Sequence, residues 1–192
     1  MHWFRFKMIP DMLANMSEKS SHWVERFLPN IKSGGDVLDL ACGRGRHSLL
    51  LHAAGFRVEA VDRDAGALAE ISAKAPRIAT RTADLEGEAW PYHGRRFDAI
   101  VVTNYLFRPL FPHLLDALAA DGVLIYETFM TGNERFGKPS NPGFLLRPGE
   151  MLDVVRGRLT VVAFEQGEVA TPRPAVVQRL CATKRMEFLL PE

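Results

Sequence analysis

Apolar runs and helical patterns alternate along this chain. Val37, Leu38, Leu40 and Ala41 form a nearly continuous apolar run interrupted only by Asp39, as expected of a strand covered on both faces. Comparable runs at 56–61, 78–83, 97–103 and 123–129 predict four more strands. Helical patterns at 21–28, 46–54, 65–74, 109–120 and 148–155 lie between or beside them, and Pro29, Gly55, Pro76 and the Asp121-Gly122 pair supply stops or turns. This alternation predicts a parallel α/β sheet. The last two runs, 160–165 and 176–183, have no helix between them, so the sheet is expected to end in an antiparallel pair. Residues 130–146 read as a long polar loop, with Gly132, Asn133, Pro139, Asn141, Pro142 and Gly143. A loop of that length in a compact domain is often functional.

Composition narrows the class. The 192 residues are enough for one domain with a sizeable core. The net charge is +1, from 24 basic and 23 acidic residues, which gives no general affinity for phosphate backbones. Cys42 and Cys181 are too far apart in sequence for a disulfide framework or a metal motif. His2, His22, His52, His93 and His113 show no ligand spacing, so no metal is expected. No apolar run reaches the length of a membrane span, and the cytoplasm is the expected compartment. Residues 1–15 are aromatic and basic but too interrupted for a signal peptide, and Met16 resembles a natural start. The expected division is a peripheral extension at 1–20, one domain at 21–185 and a tail at 186–192.

The densest signal is at 37–47. A buried strand runs into Gly43-Arg44-Gly45 and opens a helix at Arg46 and His47. Asp62 closes the next strand, 23 positions after Asp39, near the gap of about 20 expected of a ribose-binding acid. Glycines let the backbone approach a ligand, and the acid accepts from ribose hydroxyls. Asp84 and the Thr103-Asn104-Tyr105 stretch also follow the carboxyl ends of predicted strands, where open α/β sheets bind ligands. The turn lacks the third glycine of a dinucleotide site, because Ser48 stands there, and no phosphate-binding Gly-Lys-Ser/Thr loop occurs. This favours a nucleoside cofactor without phosphates.

These residues together resemble a class I S-adenosylmethionine-dependent methyltransferase over 21–185, and within that class the TehB-type tellurite-resistance methyltransferases. The resemblance implies a Rossmann-like seven-stranded, mainly parallel sheet of order 3-2-1-4-5-7-6, with helices on both faces. It also implies a cofactor site. Asp39 would orient the turn and reach the methionine amine through water, and carbonyls near Ala41 and Cys42 would accept from that amine. Gly43 and Gly45 would leave room for the cofactor. Asp62 would hold the ribose, Arg63 and Leu85 would flank the adenine, and Asp84 would accept from its amino group. Asn104 and Tyr105 would lie beneath the sulfonium.

Methyl transfer is an in-line displacement that needs alignment and exclusion of water more than a strong base. Tyr105, His47 and Glu127 are the candidate catalytic groups. Arg46, His47, Arg108 and Arg135, with Arg44 less favoured, are the candidates for holding a small anionic acceptor such as an oxyanion or carboxylate. The loop at 130–146 and the opening helix around Trp23 are expected to form a lid. Each residue also has a plainer reading: Asp39 as a helix cap, His47 as a helix start, Cys42 as a buried filler, Trp23 as packing, the arginines as a solvated rim, and Glu127 as an ion-pair partner. Three rival functions stay open. A nicotinamide-dependent oxidoreductase would require a third glycine and a Tyr-x-x-x-Lys pair, neither of which is found. A base-methylating nucleic-acid enzyme would place prolines after Asn104, where Tyr105 stands. A non-catalytic S-adenosylmethionine-binding protein would keep the acids without transfer.

Overall fold

The structure, a computed structural model, describes residues 20–186. The expected extension therefore lies outside the described residues except for Ser20, as does the tail except for Met186.

Seven strands form one sheet of order β3-β2-β1-β4-β5-β7-β6. They are β1 (Asp36–Leu40), β2 (Arg57–Asp62), β3 (Ala79–Thr82), β4 (Phe97–Thr103), β5 (Leu118–Phe129), β6 (Thr160–Val169) and β7 (Ala175–Thr183). β1 to β5 pair in parallel. β7 runs antiparallel between β5 and β6, so the expected antiparallel end is present. The helices are α1 (His22–Phe27), α2 (Arg46–Ala53), α3 (Ala65–Lys74), α4 (Phe111–Ala117) and α5 (Glu150–Val155).

The central strands are apolar at every second position on both faces because both faces are covered. Leu38, Leu40, Ile100, Val102, Leu124 and Tyr126 belong to one core with α4 and α5. Val37, Ala60, Ala99, Val101, Val123 and Ile125 belong to the other, with α1, α2 and α3. Strand periodicity sends alternate side chains to opposite faces, so the central strands β1, β4 and β5 feed both cores.

The largest departures from the expected boundaries are at the join of α4 and β5 and at the end of β6, which runs on to Val169. The helix expected at 109–120 is a 3-10 turn at Arg108–Leu110 followed by α4, which stops at Ala117. β5 begins at Leu118 because that residue already pairs with Phe97, and the ladder resumes at Ala99 with Val123 after a register shift. The Asp121-Gly122 turn is thus an irregularity inside the strand rather than its border.

The order places β1 beside β4, where the direction of winding reverses. Ligands bind at the carboxyl ends of strands beside such a reversal. At that position in this chain, Ala41 follows β1 and Asn104 follows β4.

Candidate functional site

Ala41 and Asn104 are the two non-glycine residues with positive φ among the described residues, at 52° and 56°. A side chain in that region costs of order 1–3 kcal/mol and persists where the surroundings enforce it, commonly at functional sites. Both residues line one cavity of about 460 Å³, within the size range of small-molecule sites.

The glycine turn follows Ala41. Gly45 caps α2 with φ 76°, and a Cβ there would fall 2.5 Å from the Ile71 side chain of α3. Only glycine allows both the backbone shape and the approach of α3. Gly43 donates its N–H to Asp62 Oδ2 at 2.8 Å, and Asp64 N donates to Asp62 Oδ1 at 3.0 Å. These two bonds fix the carboxylate at the end of β2. Each oxygen keeps accepting capacity, and Asp62 lines the cavity. Arg63 stands beside it. At the end of β3, Asp84, Leu85 and Glu86 line the same cavity, and Asp84 accepts from Glu86 N at 3.0 Å.

The far end of the cavity is apolar. Tyr105 and Leu106 follow β4, Thr128 and Phe129 end β5, and Pro139 and Phe144 come from the long loop. The loop is pinned. Met130 bridges to Leu146, and buried Asn133 accepts from Val176 N at 3.1 Å and donates to Pro139 O at 3.0 Å. Arg108 donates to the carbonyls of Gly143 and Leu145, each at 2.8 Å. These bonds tie the two ends of the 130–146 segment and Pro139 to β7 and Arg108, while most of the residues between are exposed. The other half of the expected lid is corrected by Trp23, which is buried in the core and donates its indole N–H to Leu180 O at 3.3 Å. It packs on the sheet, and it is not among the lining residues.

Of the residues expected to hold a cofactor, Ala41, Asp62, Arg63, Asp84, Leu85, Asn104 and Tyr105 meet at the cavity. Asp39, Cys42, Gly43 and Gly45 do not line it. Asp39 is buried and accepts from Ser48 Oγ at 2.5 Å, so its work is to hold the start of α2 against β1. Burial pushes its carboxyl up to about 7, against the opposing pull of the Ser48 hydrogen bond. Burial also raises the Cys42 thiol, with the Asp39 and Asp62 carboxylates adding to it. A nucleophilic thiolate needs the reverse.

Of the catalytic candidates, Tyr105 lines the cavity and His47 and Glu127 do not. His47 is buried; its Nε2 accepts from Ser21 N at 3.0 Å, and its Nδ1 lies 3.1 Å from Thr103 Oγ1. Burial, then Arg46, holds its ring down to about 3. It is a neutral tie between α1, α2 and β4. Glu127 sits 2.5 Å from Arg179 on the neighbouring strand, the ion pair of its plainer reading, and does not line the cavity. Tyr105 does line it, but burial and the nearby Glu86 and Asp84 carboxylates hold its hydroxyl above the ordinary range, so it stays protonated at neutral pH.

The expected anion clamp does not assemble. Arg108 is spent on Glu150, at 2.6 and 3.0 Å, and on the two loop carbonyls. Arg135 donates to Gly132 O and Glu168. Arg44 lies 3.7 Å from Glu70. Arg46 opens α2 outside the lining. Sequence reading missed Ala83, Glu86, Leu106, Thr128, Phe129, Pro139 and Phe144 as lining residues. Thr128 and Phe129 carried a readable signal, the end of β5, whereas Phe144 is placed by contacts distant in sequence. Among the described residues, no group of three acids, histidines or cysteines is arranged to hold a metal ion, and no helix is long and apolar enough to cross a membrane.

Comparison with known proteins agrees with this geometry. Residues 37–121 match a family described as a methyltransferase domain. No curated protein matches the sequence. The fold is similar to that of TehB from Haemophilus influenzae (TM-score 0.72, 19% identity), over 90% of this chain and 64% of that one, so the chain spans a little under two thirds of TehB. It is also similar to an S-adenosylmethionine-dependent methyltransferase from Methanosarcina mazei (TM-score 0.68, 15% identity, 88% of this chain and 100% of that one). A TehB-like methyltransferase from Corynebacterium glutamicum matches with TM-score 0.64 and 20% identity, over 91% of this chain and 94% of that one. Residues 37–121 thus match a methyltransferase-domain family, and the chain has the fold of class I S-adenosylmethionine-dependent methyltransferases, similar to that of TehB.

Proposed function

We propose that this protein transfers a methyl group from S-adenosylmethionine to a small acceptor. The observation that carries the reading is the set of acids at the strand ends. Asp62 and Asp84 line one cavity with the strained Ala41 and Asn104, at the point where the sheet reverses its winding.

The residues present fit that cofactor. Asp62 is oriented by two backbone N–H groups and keeps lone pairs for ribose hydroxyls. Asp84 would accept from the adenine amino group, and Arg63 and Leu85 line the cavity with it. The Ala41 and Asn104 backbones would receive the methionine portion, and Asp39 holds the start of α2 behind them. When bound, the cofactor supplies a sulfonium-activated methyl group.

The chain's own contribution is alignment and exclusion of water. Phe129, Pro139 and Phe144 close the apolar end, and the bonds of Arg108 and Asn133 keep that wall in place. His47 and Glu127 do not line the cavity, and the Tyr105 hydroxyl stays protonated at neutral pH, so positioning carries the rate. The unpaired thiols Cys42 and Cys181 suit the reducing cytoplasm.

The test uses methyl-labelled S-adenosylmethionine and a cell extract separated into small-molecule, protein and nucleic-acid pools. Label entering the small-molecule pool supports the reading. Label confined to nucleic acid, or no transfer despite cofactor binding, contradicts it.

A further inference from the structure

The sheet order sets the two ends of the cavity apart. Asp62, Asp84 and Glu86 come from β2 and β3, on one side of the reversal, and Arg63 is the single cation among the described lining residues. Tyr105, Leu106, Phe129, Pro139 and Phe144 come from the β4 and β5 side and the loop, with Thr128 as the polar group among them. Three carboxylates against one guanidinium repel an anion throughout the cavity. An oxyanion or carboxylate acceptor also needs donors that are free to turn to it. Arg108 already uses its Nε, both Nη2 hydrogens and an Nη1 hydrogen on Glu150, Leu145 and Gly143. That spending has a purpose at the apolar end, because Gly143 and Leu145 flank Phe144. The ring of Phe144 is 50% exposed although it lines the cavity, so it offers an apolar face to a ligand.

Building on the methyl-transfer reading, we infer that the acceptor is an uncharged small molecule with an apolar, ring-sized body and a neutral nucleophile, held against Phe144, Phe129 and Leu106, and not an oxyanion. The chemistry agrees with the charge. A neutral amine gives its lone pair to the new N–C bond while the pair of the old S–C bond stays on sulfur. Positive charge therefore moves to nitrogen, and an N–H proton then leaves to water. A cavity with excess carboxylate stabilises that product, whereas an anionic acceptor finds Arg63 alone against three carboxylates among the described lining residues.

The experiment is equilibrium binding to the full chain saturated with S-adenosylhomocysteine. The probes are 2-naphthylamine and 2-naphthol, both uncharged near pH 7.5, against 2-naphthoate, which shares the ring but is anionic, and tellurite. The inference predicts that each neutral probe binds at least about tenfold more tightly than 2-naphthoate. It also predicts that Phe144→Ala weakens neutral-probe binding about tenfold while S-adenosylhomocysteine binds as before. Tighter binding of 2-naphthoate or tellurite, or binding of no naphthyl probe, overturns it. The S-adenosylhomocysteine titration that precedes the probes separates the two readings. Without that binding the methyl-transfer reading falls and takes this inference with it. With that binding and no preference for neutral probes, only the acceptor inference falls.

Discussion

Arg108 grips Glu150 through two hydrogen bonds of 2.6 and 3.0 Å while the same guanidinium holds the Gly143 and Leu145 carbonyls. Glu150 is 4% exposed, and Arg147 also donates to it through its backbone N–H at 2.8 Å. The pair carries the wall of the site. The Arg108 carbonyl bonds fix the segment bearing Phe144, and Glu150 anchors the guanidinium to α5.

Arg108→Ala should therefore loosen residues 139–146 and leave a buried carboxylate with only Arg147. We expect a loss of about 2 kcal/mol, discounted from the usual cost of breaking a buried pair because Arg108 is partly exposed. Amide exchange at 143–146 should accelerate more than elsewhere. Arg108→Lys should not restore it, since one ammonium cannot replace a planar fork that serves two carbonyls and a carboxylate. Denaturant melts with site-resolved hydrogen exchange check both points.

Two buried groups pull the pH dependence of stability in opposite directions. The His47 ring is held down to about 3 from 6.5, so below 6.5 the unfolded chain takes up a proton that the folded one refuses. Its contribution is complete above pH 6.5 and is lost as pH falls towards 3. The Asp39 carboxyl is raised from 3.8 to about 7, so between those values the folded chain holds the proton, and stability falls as pH rises, then levels off above 7. Asp39→Asn keeps an acceptor for Ser48 and should remove that decline, raising stability at pH 8 relative to wild type by an amount of order 1–3 kcal/mol. His47→Gln should instead flatten the acid limb below pH 6.5. Thermal melts from pH 4 to 8 on both variants read the two slopes separately. A wild-type slope unchanged by Asp39→Asn contradicts this assignment.

Gly45 and Ile71 are coupled sterically. Gly45→Ala places a Cβ 2.5 Å from Ile71 with φ at 76°, so a cost of about 2–4 kcal/mol is expected from left-handed strain plus overpacking. Ile71→Ala alone should cost about 2–4 kcal/mol as a core cavity. Combined, the two should cost less than their sum, because the cavity admits the new methyl group. Strict additivity in a double-mutant cycle would mean that the clash relaxes elsewhere.

Much of the fold was legible because its signals are local. α3 at Ala65–Lys74 and β4 at Phe97–Thr103 have the expected bounds, each set by neighbouring residues such as Pro76 after α3 and the apolar run of β4. The order of the sheet was legible only through the resemblance, since strand adjacency joins residues distant in sequence. β5 was shortened in the reading because Asp121-Gly122 has turn chemistry, while the pairing of Leu118 with Phe97 that extends the strand is tertiary. The cavity acids were visible as strand ends. The roles of His47 and Arg108 were not. His47 is neutral because it is buried between elements distant in sequence, with hydrogen-bond partners 26 and 56 positions away, and Arg108 is spent because Glu150 lies 42 positions on. A charged or titratable residue read alone carries no sign of the partner that occupies it.

The most direct test of the central claim is calorimetric titration of the full chain with S-adenosylhomocysteine, with NAD as control and Asp62→Ala and Asp62→Asn in parallel, each checked for folding by circular dichroism. The account predicts saturable binding of S-adenosylhomocysteine, no binding of NAD, and at least about a tenfold loss in both folded variants, since Asp62 supplies charge-assisted acceptors to the ribose. Binding of NAD in place of S-adenosylhomocysteine, or full affinity in folded Asp62→Ala, would contradict it.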